Sequence, residues 1–283
     1  MNRIEAWERW KRPEWRQREN RIADMLLRGK TDARALERLV PRTDAGLFDL
    51  RGFPLVDHKE LLRLKRGVFR DLDLSFARFG RVLLEACEFE NVNLTGMQHA
   101  IWNERGCRFC DVQLRDVKLR NAALGLGGSA YERVDFSRCD FGDAFFYRPQ
   151  FRGCTFASPK FRGLDFNMSN FAGCSFSGQL DGVWFRAKWP HPHDEATFGP
   201  AAPNEMRVDF SDASLWDVVF TGALDLSRVV LPRDGQHVLL KDFCNALLKS
   251  KKRVESLGDG GLDQEHALQL IQGFLVHAAH QDM

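Results

Sequence analysis

Tyrosine is nearly missing from this chain, which has 2 Tyr against 23 Phe. A buried phenol needs a partner for its hydroxyl and a phenyl ring does not, so the imbalance points to many rings buried outright. An excess of one charge is missing too: 41 Lys and Arg face 39 Asp and Glu. No strong field therefore steers the chain toward nucleic acid or a membrane surface. No apolar run approaches the ~18 residues of a membrane span. The opening MNRIEAWERWKRPEW is charged throughout and is expected not to be a secretory leader. Seven cysteines, an odd number, read as reduced thiols in a cytoplasmic protein. HExxH, a phosphate loop and a Ser-His-Asp arrangement are also missing. The lone CxxC, Cys107 with Cys110, has no second pair to complete a zinc site. The expectation is a chain with no catalytic residues, no metal and no cofactor.

What is present is a five-residue period. Stepping by five from Phe136 meets Phe141, Phe146, Phe151, Phe156, Phe161, Phe166, Phe171 and Phe176. At this Phe content eight further hits by chance have a probability on the order of one in a billion. Upstream, in another phase, stand Leu64, Phe69, Leu74, Phe79, Leu84, Phe89 and Leu94, then Phe109, Leu114, Leu119 and Leu124. Phe210, Leu215 and Phe220 form a short third array. Two residues before most centres comes a small or β-branched side chain, as at Ala77, Val92, Cys107, Val134, Cys154 and Cys174. The residue between is often Asp or Asn, as at Asp73, Asn93, Asp135 and Asp140. These polar residues are expected to face outward and bond nearby backbone at the turns. A period of five fits neither a helix nor a simple strand. It suits one side of a square coil that closes in 20 residues, with turns stacked at strand spacing, ~4.8 Å. Phe136, Phe156 and Phe176 should then form one column. Cys87 with Cys107, and Cys154 with Cys174, should be stacked thiols, because parallel side chains suit a disulfide poorly.

This array resembles the pentapeptide-repeat family, whose pattern is Ala-Asp/Asn-Leu-x-x. The resemblance spans about Leu62 to Leu226 and implies a mainly β fold, a right-handed quadrilateral β-helix. The expected organisation is an N-terminal helical arm or cap over 1–61, the coil over 62–230, and a C-terminal helical hairpin over 231–283. The arm carries 11 Lys and Arg against 7 Asp and Glu over residues 1–40; it either caps the coil or binds an acidic partner. The hairpin, with helices over Val238–Val254 and Asp263–Ala279, either caps the coil or makes a homodimer. The resemblance adds to the second option, because some family members associate through their C-terminal ends.

The period breaks near 97–106, 125–132 and 179–206. In the first break His99 and Glu104 stand at centre positions, with Ile101 and Trp102 available to fill a widened core. In the second, GLGGSAYE, the step from Leu124 to Phe136 is 12 and demands a bend or bulge. The third is rich in proline and holds Trp184, Trp189, His191, His193, Asp194 and Glu195. Excursions from a scaffold tend to carry its contacts, and Trp is enriched at binding hot spots. These six are the candidate partner-binding residues; a surface excursion without a partner and a metal site at His191, His193 and Asp194 are the alternatives. The functional expectation is a non-enzymatic protein-interaction module of immunity, adaptor or scaffold type. The resemblance implies a second reading, protection of DNA gyrase by DNA mimicry; the near balance of charge along the coil departs from it.

Overall fold

The computed structural model describes residues 1–55, 61–189, 191–200, 205–222, 224–235, 237, 243–257 and 261–281. They fall into two compact units, Met1–Pro232 and Arg233–Met283.

The first unit contains a parallel β-solenoid of about seven turns with four sides to each turn. On one side the strands Leu61–Lys65, Arg81–Glu85, Ile101–Arg105, Ala123–Leu126 and Phe145–Phe146 pair in sequence, all parallel. On the next, Val68–Asp73, Glu88–Asn93, Arg108–Cys110, Ala130–Glu132 and Gln150–Arg152 do the same. The register is set by the repeat, with Leu64 opposite Leu84 and Phe69 opposite Phe89.

The five-residue period has a backbone cause. Two residues after a centre, the chain turns through the left-handed region: Arg66 (φ 53), Asp71 (φ 55), Phe76 (φ 58), Ala86 (φ 51), Asp116 (φ 56), Arg138 (φ 57) and Ser158 (φ 48) are examples. That conformation costs an L-residue roughly 1–2 kcal/mol. It is held because the same residue donates its N–H to the next turn, as Phe76 does to Thr95 O (2.8 Å) and Arg138 to Ala157 O (2.8 Å). The polar residue before a centre supports the corner from outside: the Asp73 carboxylate accepts from the Ser75 N–H (3.0 Å) and hydroxyl (2.6 Å), and Asp140 from the Gly142 N–H (3.1 Å).

Inside, the centre side chains stack one turn upon the next. One column runs Phe69, Phe89, Phe109, Tyr131, Phe151, Phe171, with successive ring centroids 4.8, 5.0, 5.0, 5.0 and 5.1 Å apart and nearly parallel. A second contains Phe136, Phe156 and Phe176 at 5.0 and 4.5 Å. A third links Phe146, Phe166, Phe185 and Phe220 at 4.5, 5.2 and 5.2 Å. Phe141 and Phe161 stand 5.2 Å apart on the remaining side. All nine Phe of the Phe136–Phe176 run are buried. The cysteines are free thiols; Cys87 N–H points at Cys107 Sγ (3.4 Å).

The coil starts earlier than residue 62. Leu50 N–H donates to Asp73 O and Leu55 N–H to Arg78 O, so a partial turn precedes the first array. Residues 56–60, across which the period is lost, lie outside the described residues. Helices α1 (Arg3–Arg9), α2 (Pro13–Leu27) and α3 (Ala33–Leu39) close this end. Ile22, Leu26 and Leu36 join the coil's apolar core, and Trp10 packs edge-on against Phe53 at 4.7 Å. Lys30 bridges to Val68, with Val68 N–H on Gly29 O (2.8 Å), so the exposed edge of the first turn is paired. A Cβ on Gly29 would stand 2.7 Å from Gly67 Cα, which is why glycine is needed at this crossing. Buried Arg9 pairs with Asp49 (2.9 Å), which Arg51 also grips (2.7 Å). Burial alone would raise the Asp49 pKa, but hydrogen bonds from Arg51 and Arg9 hold it down at about 2.

The second unit contains α5 (Phe243–Ser256) and α6 (Leu262–Gln281). The helix expected from Val238 starts at Phe243 among the described residues; 238–242 and the turn 258–260 lie outside them. Gln264 Nε2 donates to Val254 O (2.6 Å) across the connection. Leu262, Leu270 and Phe274 of α6 are exposed. No described helix is long and apolar enough to cross a membrane.

Phe156 is fully buried and touches rings above, below and across the coil. Phe156→Ala is expected to cost about 3–5 kcal/mol in a urea melt; an unchanged midpoint would contradict the stacked core.

Candidate functional site

Charges on the outside of the coil are spent between turns. Lys65 pairs with Glu85 (3.0 Å), Arg70 with Glu90 (2.7 Å), Arg133 with Asp111 (2.7 Å) and Arg138 with Asp116 (2.6 Å), each across one turn. Exposed pairs of this kind are worth about 0–1 kcal/mol each. Their larger consequence is that positive and negative groups interleave along these sides.

The first expected break is a regular turn. Ile101–Arg105 pairs in parallel with the strands before and after it. Trp102 is buried in the slot two before the centre, where Val82 stands one turn earlier. What differs is the chemistry of the centres, where His99 and Glu104 replace Phe or Leu. Glu104, only 1% exposed, accepts hydrogen bonds from the Gly125 N–H, the Ser129 hydroxyl and the Tyr131 hydroxyl (2.5 Å for the last). Among the described residues no cation is paired with it. Burial pushes its pKa up to about 7, against the pull of those three donors. Burial also lowers His99 to about 4, against a weak interaction with the backbone at Lys118, and neither of its ring nitrogens makes a hydrogen bond of regular geometry among the described residues. Between about pH 4 and 7 both groups are therefore held mainly in their neutral forms.

The second break is the other half of the same cluster. Tyr131 already lies in the phase of Phe136 and stacks between Phe109 and Phe151. The displacement is confined to Leu124–Tyr131, where the ladder to Ile101–Arg105 slips by one residue and Gly125, Gly127 and Gly128 take positive φ. This bulge brings the Gly125 N–H and Ser129 to Glu104.

The third break is shorter than expected. Leu180 pairs with Phe161 and Leu215, and Phe185 with Phe166 and Phe220, so the coil runs on to Arg186. That turn is one residue short, which moves the phase and hides it from a count by fives. Trp184 is therefore a coil residue, not part of the excursion. It faces outward, 38% exposed, with the Arg186 guanidinium 4.3 Å from its ring and Arg186 paired to Asp165 (2.6 Å). The chain leaves the coil over 187–206, of which 190 and 201–204 lie outside the described residues. The excursion forms the short helix α4 (Pro192–Phe198), whose first turn is closed by the His191 N–H donating to the Asp194 carboxylate (3.2 Å).

The excursion lies against the coil. Phe198 packs on Tyr147 (4.9 Å) and on Trp189 (5.4 Å), Trp189 donates its indole N–H to Gly199 O (3.0 Å), and Arg148 donates to Pro200 O (2.6 Å). Trp189 is thus turned inward as an anchor. His191, His193 and Glu195 are exposed, the two imidazoles stacked 5.5 Å apart. Among the described residues no group of three His, Cys, Asp or Glu is placed to hold a metal. Tyr147, Arg148 and Phe198 were not among the sequence candidates. The available signal was the rarity of tyrosine: one of the two serves Glu104 and the other the excursion.

The signs of the two buried groups oppose each other. Glu104, raised from 4.5 to about 7, contributes stability below its unfolded pKa that is lost as pH rises to 7. His99, lowered from 6.5 to about 4, contributes stability above 6.5 that is lost as pH falls to 4. Between about 4.5 and 6.5 they cancel. Thermal melts should show His99→Leu losing up to about 3 kcal/mol relative to wild type as pH rises from 4.5 to 7, and Glu104→Leu gaining a similar amount from pH 4 to 6.5. Profiles parallel to wild type would contradict neutral burial of the pair.

No protein-family model and no curated protein matches the sequence. Among solved structures the chain is similar to QnrB1, a plasmid-mediated fluoroquinolone resistance protein, with 18% identity over 67% of this chain and 87% of that one, at a TM-score of 0.23. It is also similar to HetL, a pentapeptide repeat protein involved in heterocyst differentiation regulation from the cyanobacterium Nostoc sp. strain PCC 7120, with 15% identity over 62% and 91% of the two chains, at a TM-score of 0.26. Superposition at that level carries no assignment, and the chain's own period and coordinates do. With a centre every five residues, a left-handed corner two positions later and four parallel sides to the turn, the chain is a pentapeptide-repeat solenoid.

Proposed function

We propose that this chain is a non-enzymatic protein-interaction module, and that its partner reads the excursion over 187–206 together with the adjoining coil side. The observation that carries this reading is the Tyr147–Phe198–Trp189 stack, which fixes an excursion of polar tip against an otherwise regular coil. Holding a segment in place removes part of the entropy cost of binding. His191, His193 and Glu195 supply exposed polar groups, Trp184 with Arg186 a flat aromatic-cationic surface, and Asp194 and Trp189 maintain the segment's shape. The reading places the protein among immunity, adaptor or scaffold proteins of the cytoplasm.

Protection of gyrase by DNA mimicry, the second reading, requires a rod with a strongly negative side. A duplex carries one charge per ~1.7 Å, and the interleaved Arg–Asp and Arg–Glu pairs of this coil do not favour such a match. For the second unit we propose self-association, since Leu262, Leu270 and Phe274 of α6 are exposed on a two-helix unit too small to cover its own apolar side chains.

The excursion reading is tested by capture of partners from a lysate on immobilised protein. Replacing 187–205 by a short Gly-Ser linker leaves Trp184, Phe185 and the buried Met206 in the coil, and is expected to abolish capture with the melting temperature of the coil retained. The double variant His191→Ala, His193→Ala should weaken the same band. Capture undiminished by the linker replacement would remove the excursion from the interface.

A further inference from the structure

We propose that the groove where α1 and α2 meet the first turns of the coil binds an acidic peptide segment, with a carboxylate seated between Arg16 and Arg78 and its neighbouring atoms on the ring of Trp7. This site goes beyond the excursion reading and shares no residue with it.

The groove measures about 420 Å³, and Trp7, Trp10, Lys11, Arg16, Glu19 and Arg78 are among the residues that line it. Two arginines without an ion pair, Arg16 and Arg78, thus face one carboxylate, Glu19. Trp7 is fixed, because its indole N–H donates to Phe76 O (2.7 Å). The Arg3 and Arg78 guanidinium groups lie 5.3 and 5.4 Å from the centre of the Trp7 ring, cation–π arrangements that hold them in place. The Arg78 Nε–H is buried and has no hydrogen-bond acceptor. Arg16 and Arg78 make no ion pair within 4 Å among the described residues, in contrast to the arginines along the coil. Lys11 is turned to Glu8 (2.5 Å). Glu19 feels both arginines at longer range, and burial raises its pKa against them. The groove is therefore a charge-unbalanced pocket on a rigid base, and its planar guanidinium donors match a carboxylate. The aromatic floor favours a peptide over a bare ion, because it offers apolar surface to the chain beside the charge.

The test is titration calorimetry of the full chain with N-acetyl-tetraglutamate amide, with inorganic phosphate as a competitor. Binding that weakens from 0.15 to 0.5 M NaCl is expected, since exposed charge contacts are screened. Arg16→Gln and Arg78→Gln should each lower the affinity about tenfold or more, while Arg34→Gln on α3 leaves it unchanged. Arg16 is exposed on α2, so Arg16→Gln reports even if Arg78→Gln loosens the cap. No heat of binding, equal affinity in Arg16→Gln, or full displacement by phosphate at equal concentration would overturn the proposal. None of these variants touches the excursion, so failure here leaves partner capture by 187–206 to be judged separately.

Discussion

Most sides of this coil end on a residue held at positive φ, and that residue must reach the next turn with its N–H to remain there. The strain is small at one corner and large when summed over the coil. Glycine and asparagine occupy some corners, but Arg66, Phe76, Ala86, Arg138 and Ser158 occupy others at full cost. The offset is cooperative: a corner hydrogen bond forms only if the neighbouring turn is in register, and register is set by the stacked centres. Backbone corner and ring column therefore depend on each other, as nearest-neighbour coupling in a solenoid requires.

The polar turn is the point where this logic is bent. Leu84 and Leu124 stand one turn either side of Glu104 in the same slot. The carboxyl is tolerated because it is satisfied by three donors, and all three come from the bulged segment Gly125–Tyr131. A bulge that would otherwise interrupt the coil thus answers a polar group that would otherwise be stranded in it. His99 in the same turn is neutral, and its visible contacts are a weak interaction with the backbone at Lys118 and a tilted packing of its ring on Trp102 (5.7 Å).

The coil was legible in the sequence wherever the period was constant. Phe136 to Phe176 specify the side, the slot and the column because each lies five residues from the next. Leu180 and Phe185 were lost to a turn one residue short, Tyr131 to a bulge of two, and Leu50 and Leu55 to the segment 56–60. A count at fixed spacing cannot follow a change of phase, although the packing does so easily. Glu104 was read as a defect, because sequence does not show that Ser129 and Tyr131 return to it from a later turn. Trp189 was read as an exposed anchor; its partner Phe198 lies within the excursion, and Tyr147 is forty-two positions upstream of Trp189 in an outward slot with no distinguishing pattern.

The coil contributes rigidity, and the sites of interest sit where that rigidity is used to hold something irregular: the excursion on Tyr147 and the cap on Phe53 and Trp7. All of this rests on the corners being locked to their neighbours. Native-state hydrogen exchange reads that directly. The amides of Phe136, Arg138 and Ser158, bonded to Thr155 O, Ala157 O and Ser177 O at 2.8 Å each, are expected in the slowest class, exchanging only with global unfolding. Exchange of these corner amides as fast as those of the α4 excursion would contradict the account.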